Sequence, residues 1–249
     1  YQTIGELLEE KAAQYPHREA LVYSDRDYRM TYEQFNKHSD LVAKALMAIE
    51  LEKGHHFSVW TTNVPQWSGL QFGSGKMGAP LVTVNTSYRA SELEYLLKQS
   101  DTRAIILIDN YRDHAFIDTL YDLCPELKEC EPGKLQSTRL PLLKSVVVIS
   151  DKKYPGAFTY EEFLANGSRI SDEQLEQRKQ SLSYDDVINI QYTSGTTGFP
   201  KGVMLRHSNL INNAINIAEC MKLTHEDRLC IPVPFFHCFC CVIGTGVPS

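Results

Sequence analysis

The sequence predicts an α/β domain built on a mostly parallel sheet flanked by helices. Short apolar runs recur along the chain, FSVWTT at 57–62, LVTV at 81–84, AIILID at 104–109 and VVVIS at 146–150. Stretches that read as helices separate them, and such alternation of strand and helix closes into a parallel sheet through right-handed crossovers. The run at 104–109 carries no polar alternation before Asp109, as expected of a strand covered on both faces.

Taken in order, YQTIGELLEEKAAQYP reads as a polar amphipathic helix. Thr31 with Gln34 forms a capping box that opens a helix over 32–49. After the strand at 57–62, Pro65 starts the next helix, since its missing N–H costs nothing in a first turn. Ser91 and Glu94 spell a second capping box, opening a helix with Leu93, Leu96 and Leu97 on one face. A further helix is expected near 112–123, ahead of the strand at 146–150. From 151 to 185 the chain turns polar, with short surface helices expected at 160–165 and 172–181 and a seam between two parts of the domain.

Bulk properties exclude several classes. A chain of 249 residues with 43% hydrophobic content can bury one large core or two small ones. The net charge of -6 is spread along the chain, and a nucleic-acid binder would carry a basic face instead. The sequence has no apolar run of the roughly 18 residues that a membrane-spanning helix needs. The first residues show no signal-peptide pattern, so a cytoplasmic setting is expected. The mitochondrial matrix is the alternative if an upstream targeting segment has been removed. Seven cysteines form no regular framework, and reduced thiols are expected. His237, Cys238, Cys240 and Cys241 sit in one apolar stretch, FFHCFCCVIG, where cysteine behaves as a small hydrophobe, so no metal ligand is assigned.

Two glycine patterns point in opposite directions. Gly73, Gly75 and Gly78 spell G-x-G-x-x-G, but dinucleotide binding needs those glycines in the turn between a strand and its helix. They lie instead about ten residues past the strand at 57–62 and directly before the next strand, so close packing of a helix on the sheet is the better reading. The second pattern is VINIQYTSGTTGFPKGVML at 187–205. An apolar run, Val187 to Tyr192, leads into Thr193, Ser194, Gly195, Thr196, Thr197 and Gly198, then Pro200, Lys201 and Gly202, and a second apolar run leaves the segment.

Four hydroxyls within five residues can donate to phosphate oxygens. The glycines allow successive N–H groups to face one anion. Lys201 adds a mobile positive charge that can offset charge developing on a phosphate. A flexible linker fits poorly, because strands feed and leave the segment directly. A Walker A loop needs its lysine to open a helix, whereas Lys201 precedes Gly202 and a strand-like run. The residues thus describe a nucleotide phosphate loop of a non-Walker kind.

YTSGTTGFPKG resembles the phosphate-loop signature of the adenylate-forming superfamily of acyl-CoA synthetases, luciferases and peptide-synthetase adenylation domains. NVPQW at 63–67, GAPLVTVNTSYRASELEYLL at 78–97 and PVPFFHCF at 232–239 agree with it. Within the superfamily, LCPEL at 123–127, EPGKLQSTRLPLLKSVVVIS at 131–150 and INIQYTSGTTG at 188–198 look most like medium-chain acyl-CoA ligases. The resemblance implies two half-reactions. A carboxylate attacks the α-phosphate of ATP, with magnesium bound, to give an acyl-adenylate and pyrophosphate; the thiol of coenzyme A then takes the acyl group and releases AMP.

By the same resemblance, Thr193, Ser194, Gly195, Thr196, Thr197, Gly198, Lys201 and Gly202 hold the β- and γ-phosphates, with Lys201 the catalytic cation. His237 matches a position beside the acyl pocket, and Phe236, with Phe235 and Phe239, is a candidate wall. Asn209 reads as a helix cap. The resemblance implies the large N-terminal domain of such a ligase over 1–249, without the later adenine, ribose and magnesium motifs or the mobile C-terminal domain. The chain alone is therefore expected not to complete adenylation. A non-catalytic nucleotide-binding module, and an adenylation domain feeding a carrier protein, are the alternatives, and a homodimer is left open. Acyl chain length is not legible, because about one methylene changes binding by only 1–3 kcal/mol.

Overall fold

The computed structural model describes residues 2–193 and 199–237. The chain opens with α1 (Ile4–Gln14), a hairpin of β1 (Glu19–Tyr23) and β2 (Tyr28–Thr31), and α2 (Tyr32–Ala48). It continues through β3 (Phe57–Trp60), α3 (Pro65–Met77), β4 (Leu81–Thr83), α4 (Ala90–Gln99) and β5 (Ala104–Ile108). A two-residue ladder of β6 (Asn110–Tyr111) and β7 (His114–Ala115) precedes α5 (Phe116–Leu123) and β8 (Ser145–Ile149). Then come β9 (Phe158–Thr159), α6 (Tyr160–Asn166), α7 (Asp172–Gln180), β10 (Val187–Thr193), β11 (Lys201–Arg206) and α8 (His207–Met221).

The expected α/β architecture is present. A seven-stranded sheet runs in the order β11-β10-β4-β3-β5-β8-β9, parallel throughout except for β11, which lies antiparallel to β10 at one edge. From β3 the chain steps to β4 on one side, then crosses back over β3 to β5 on the other. Right-handed crossovers in opposite directions put α3 and α4 on opposite faces of the sheet. Their neighbours agree: α3 packs with α1, α2 and α7, whereas α4 packs with α5. All five residues of β5 are buried, as a strand covered on both faces requires. The polar stretch after β8 contributes β9, which extends the sheet in parallel with β8, and α6, which packs on α2.

Local chemistry explains the element starts. Thr31 and Gln34 make the reciprocal capping bonds of α2, and Pro65 occupies the first turn of α3. The helix expected to be capped by Ser91 begins two residues earlier, at Ala90, with Arg89 as N-cap. Glu92 accepts the Arg89 N–H at 3.0 Å, while Glu94 is drawn away by Lys98 and Arg139. The helix expected near 112–123 starts only at Phe116, because β6 and β7 form a tight turn with Arg112 at a φ of 56°.

Gly73 and Gly75 do serve close packing, but against helices rather than the sheet. A Cβ at Gly73 would stand 2.6 Å from Cγ1 of Val42 on α2, and one at Gly75 would stand 2.4 Å from Cγ1 of Ile4 on α1. Gly78 ends α3 in the left-handed region at a φ of 79°. The same helices share a buried cation. Lys76 on α3 is fully enclosed, and its ammonium donates to Asn36 at 2.6 Å and Asp40 at 2.7 Å and pairs with Glu9 at 3.1 Å. With three acceptors around three N–H donors, the charge is compensated at depth. Among the described residues no helix is long and apolar enough to cross a membrane.

His207, the first residue of α8, is fully buried, and its Nδ1 accepts the Ile4 N–H at 3.1 Å. Burial lowers its pKa from 6.5 to about 4, outweighing the opposing pull of Asp186 and Glu6, while Lys53 adds to the lowering. Between those two values the unfolded chain takes up a proton that the folded chain refuses, so stability falls as pH drops through that window. Denaturation at neutral pH and at about pH 5 should show a smaller pH-dependent loss for His207→Gln than for the wild type; equal losses contradict this. Gly73→Ala should lower stability by about 1–2 kcal/mol, because the clash outweighs the gain in helix propensity. A rise in melting temperature would overturn that packing account.

Candidate functional site

The candidate phosphate loop is the connection between β10 and β11. Because β10 runs parallel to β4, this connection leaves the sheet at the carboxyl ends of the strands. Ligands of open α/β sheets bind outside those ends, at the point where successive crossovers diverge. In this chain the divergence lies between β3 and β4, and β10 is the next strand beyond β4.

The strand feeding the loop is less apolar than its surroundings demand. Asn189 and Gln191 are both buried, and the Gln191 side-chain amide donates to Asn189 Oδ1 at 2.8 Å. The Thr83 hydroxyl on β4 donates to Gln191 Oε1 at 3.1 Å. A slip of β10 along β4 would break the buried Thr83–Gln191 bond, which helps to fix where the loop emerges.

Three of the sequence-predicted residues come together at the hairpin end. Thr193 stands opposite Lys201, and Tyr192 opposite Gly202. A Cβ at Gly202 would lie 3.2 Å from the Tyr192 ring and 3.1 Å from Cγ2 of Ile190. Glycine thus lets the tyrosine ring lie across the neighbouring strand. Burial raises the Tyr192 hydroxyl to about 12, so it stays protonated. Lys201 is exposed and is the first residue of β11. Ser194, Gly195, Thr196, Thr197 and Gly198 lie outside the described residues, as do Phe239, Cys238, Cys240 and Cys241. Asn209, expected as a cap, accepts the Arg206 N–H at 2.9 Å from the third position of α8.

Two residues that sequence reasoning did not single out tether the candidate pieces to the divergence point. On α4, the Tyr95 hydroxyl donates to the Pro200 carbonyl at 3.3 Å, and its ring stacks on Phe199 at 4.9 Å. On the segment between β3 and α3, Asn63 donates from Nδ2 to the Val233 carbonyl at 2.8 Å. Its Oδ1 accepts the Phe235 N–H, also at 2.8 Å. Phe235 is buried against Trp67, Phe236 is half-buried and His237 is exposed. Both residues fall inside quoted motif stretches, but the partners of Asn63 are 170 and 172 residues away, a distance no local pattern reveals. Beneath them, the Trp60 indole N–H donates to the Asn85 carbonyl at 3.1 Å, joining the exits of β3 and β4.

A cleft of about 600 Å³ opens farther along the same edge, lined by Thr62, Val64, Asp109, Ser150 and Tyr160 among others. None of the sequence-predicted site residues lines it. Asp109 there accepts the hydroxyls of Ser150 at 2.8 Å and Tyr154 at 2.9 Å, tying β5 to the segment after β8.

A family model for AMP-binding enzymes matches residues 8–248. The chain belongs to the AMP-binding enzyme family. It is 52% identical over 245 residues to YngI of Bacillus subtilis, named as an acyl-CoA synthetase, across 98% of this chain and 45% of that protein. It is 39% identical over 249 residues to the human mitochondrial medium-chain acyl-CoA ligase ACSF2, across 98% of this chain and 40% of that protein. The chain thus spans less than half the length of these AMP-binding relatives. In fold it is similar to acetoacetyl-CoA synthetase from Streptomyces lividans, with a TM-score of 0.81 at 18% identity, covering 99% of this chain and 37% of that one. It is similar too to the N-terminal domain of FACL13 from Mycobacterium tuberculosis, with a TM-score of 0.73 at 23% identity, covering 100% of this chain and 55% of that one.

Proposed function

We propose that this chain forms the front part of the N-terminal domain of an ATP-dependent acid–thiol ligase. The complete protein would convert a fatty acid to its acyl-adenylate and pass the acyl group to coenzyme A. The observation that carries this reading is the position of the hydroxyl- and glycine-rich connection. It leaves β10 at the carboxyl edge of the sheet, with Thr193 and Lys201 facing each other across its base. Membership of the AMP-binding family supports the adenylating half-reaction. The names of the YngI and ACSF2 relatives support coenzyme A as acceptor and a medium-chain acid as the first substrate to test.

The chemistry asks little of the protein beyond position and charge. The acid and the α-phosphate must be held in line, and negative charge on the departing pyrophosphate must be offset. Loop amides and hydroxyls would hold the β- and γ-phosphates, and the flexible Lys201 ammonium would follow the charge as it shifts. His237 and Phe236 would border the acid on the neighbouring segment. Magnesium is implied by the family resemblance, but among the described residues no group of three or more His, Cys, Asp or Glu could hold a metal ion. The cytoplasm is the proposed compartment, with the mitochondrial matrix the alternative; the ACSF2 relative is named as mitochondrial.

Fatty-acid-driven exchange of pyrophosphate into ATP by the full-length protein tests the reading. Lys201→Ala should slow this exchange by on the order of a hundredfold, and an unchanged rate would remove the role given to that ammonium. The 249-residue chain alone should show no exchange. AMP release by the full-length protein should depend on coenzyme A, and release without it would point to a different acceptor.

A further inference from the structure

Asn63 offers a division of labour within the site, and the inference rests on the ligase reading above. We propose that Asn63 is a positioning residue for the carboxylic acid substrate. It fixes the turn that carries Phe236 and His237, and it does so independently of the phosphate loop.

The turn has little regular structure to hold it. Past α8, residues 222–237 form no helix or strand, and Pro234 has no N–H with which to anchor itself. Asn63 grips the backbone on both sides of that proline, accepting from the Phe235 N–H and donating to the Val233 carbonyl, each at 2.8 Å. Only a carboxamide places a neutral donor and acceptor side by side in one plane, so the grip copies one rung of a sheet ladder. The His237 N–H donates back to the Pro234 carbonyl at 3.1 Å, closing the turn. With Phe235 turned inward onto Trp67, Phe236 stays half-buried and His237 is exposed.

The mount for this grip is rigid. Asn63 directly precedes Val64, the N-cap of α3, and the Val64 carbonyl accepts the Trp67 N–H at 3.0 Å and the Tyr23 hydroxyl at 3.1 Å. The phosphate loop has its own mount on the opposite face of the sheet, where Tyr95 of α4 holds Phe199 and Pro200. The acid side and the triphosphate side thus hang from different crossovers. Loosening one should leave the other in place.

The test measures KM for octanoate and KM for ATP by pyrophosphate exchange in the full-length protein. Asn63→Ala loses both bonds and should raise the octanoate KM by about tenfold while the ATP KM stays within about twofold. Tyr95→Ala should show the reverse pattern. If Asn63→Ala fails to fold, Asn63→Asp serves, since it keeps the acceptor for Phe235 and loses donation to Val233; its octanoate KM should also rise. A merely structural role would move both KM values together, and that result, or an unchanged octanoate KM, overturns the proposal. An active wild type with unaffected Asn63 variants sinks the positioning role alone. A wild type with no acid-driven exchange across a panel of acids sinks the ligase reading itself.

Discussion

The reversal of chain direction after β4 is the constraint on which the site depends. One crossover carries the chain from β3 to β4, and the next carries it back past β3 to β5. By the right-handed rule for parallel crossovers, and in keeping with the separate helix neighbours of α3 and α4, the segments leaving β3 and β4 part to opposite faces and leave a crevice between their ends. The candidate pieces are hung there, with the turn at 234–237 on Asn63 at the β3 exit and the foot of the candidate phosphate loop on Tyr95 beyond the β4 exit. The Trp60–Asn85 bond holds the two exits together beneath them.

The packing behind the sheet serves the same end. Asn63 can act as a fixed mount only if α3 is fixed, and α3 is seated on α1 and α2 through glycines that permit close approach. Burying Lys76 among Asn36, Asp40 and Glu9 binds those helices into one unit. The arrangement needs its charges intact, since an unpaired ammonium at that depth would be heavily penalised. Burial alone would raise the Glu9 carboxyl, but Lys179 and Lys76 hold it below the usual carboxylate range.

Much of this was legible in the sequence, for identifiable reasons. Strands β3, β4, β5 and β8 announced themselves because a sheet covered on both faces needs uninterrupted apolar runs, and Thr31 with Gln34 marked α2 because capping is local chemistry. Gly73 and Gly75 lie inside α3 and serve close packing, but the surface they pack against is not readable along the chain, since Val42 and Ile4 come from elsewhere in it. The box at Ser91 misled because Glu92 and Glu94 compete for one role, and distant Arg139 helps draw Glu94 away. The antiparallel turn-back of β11 and the bonds of Asn63 are properties of tertiary register, which spacing along the chain does not encode.

On the proposed reading, the connection from Thr193 to Gly202 grips the triphosphate. Amide hydrogen exchange of the full-length protein, with and without ATP, tests it most directly, since every residue of that connection except Pro200 carries a reporting N–H. Slowed exchange concentrated in those amides when ATP is bound is the predicted result. Bound ATP that leaves them exchanging as freely as before, and protects another part of the protein instead, would contradict the account.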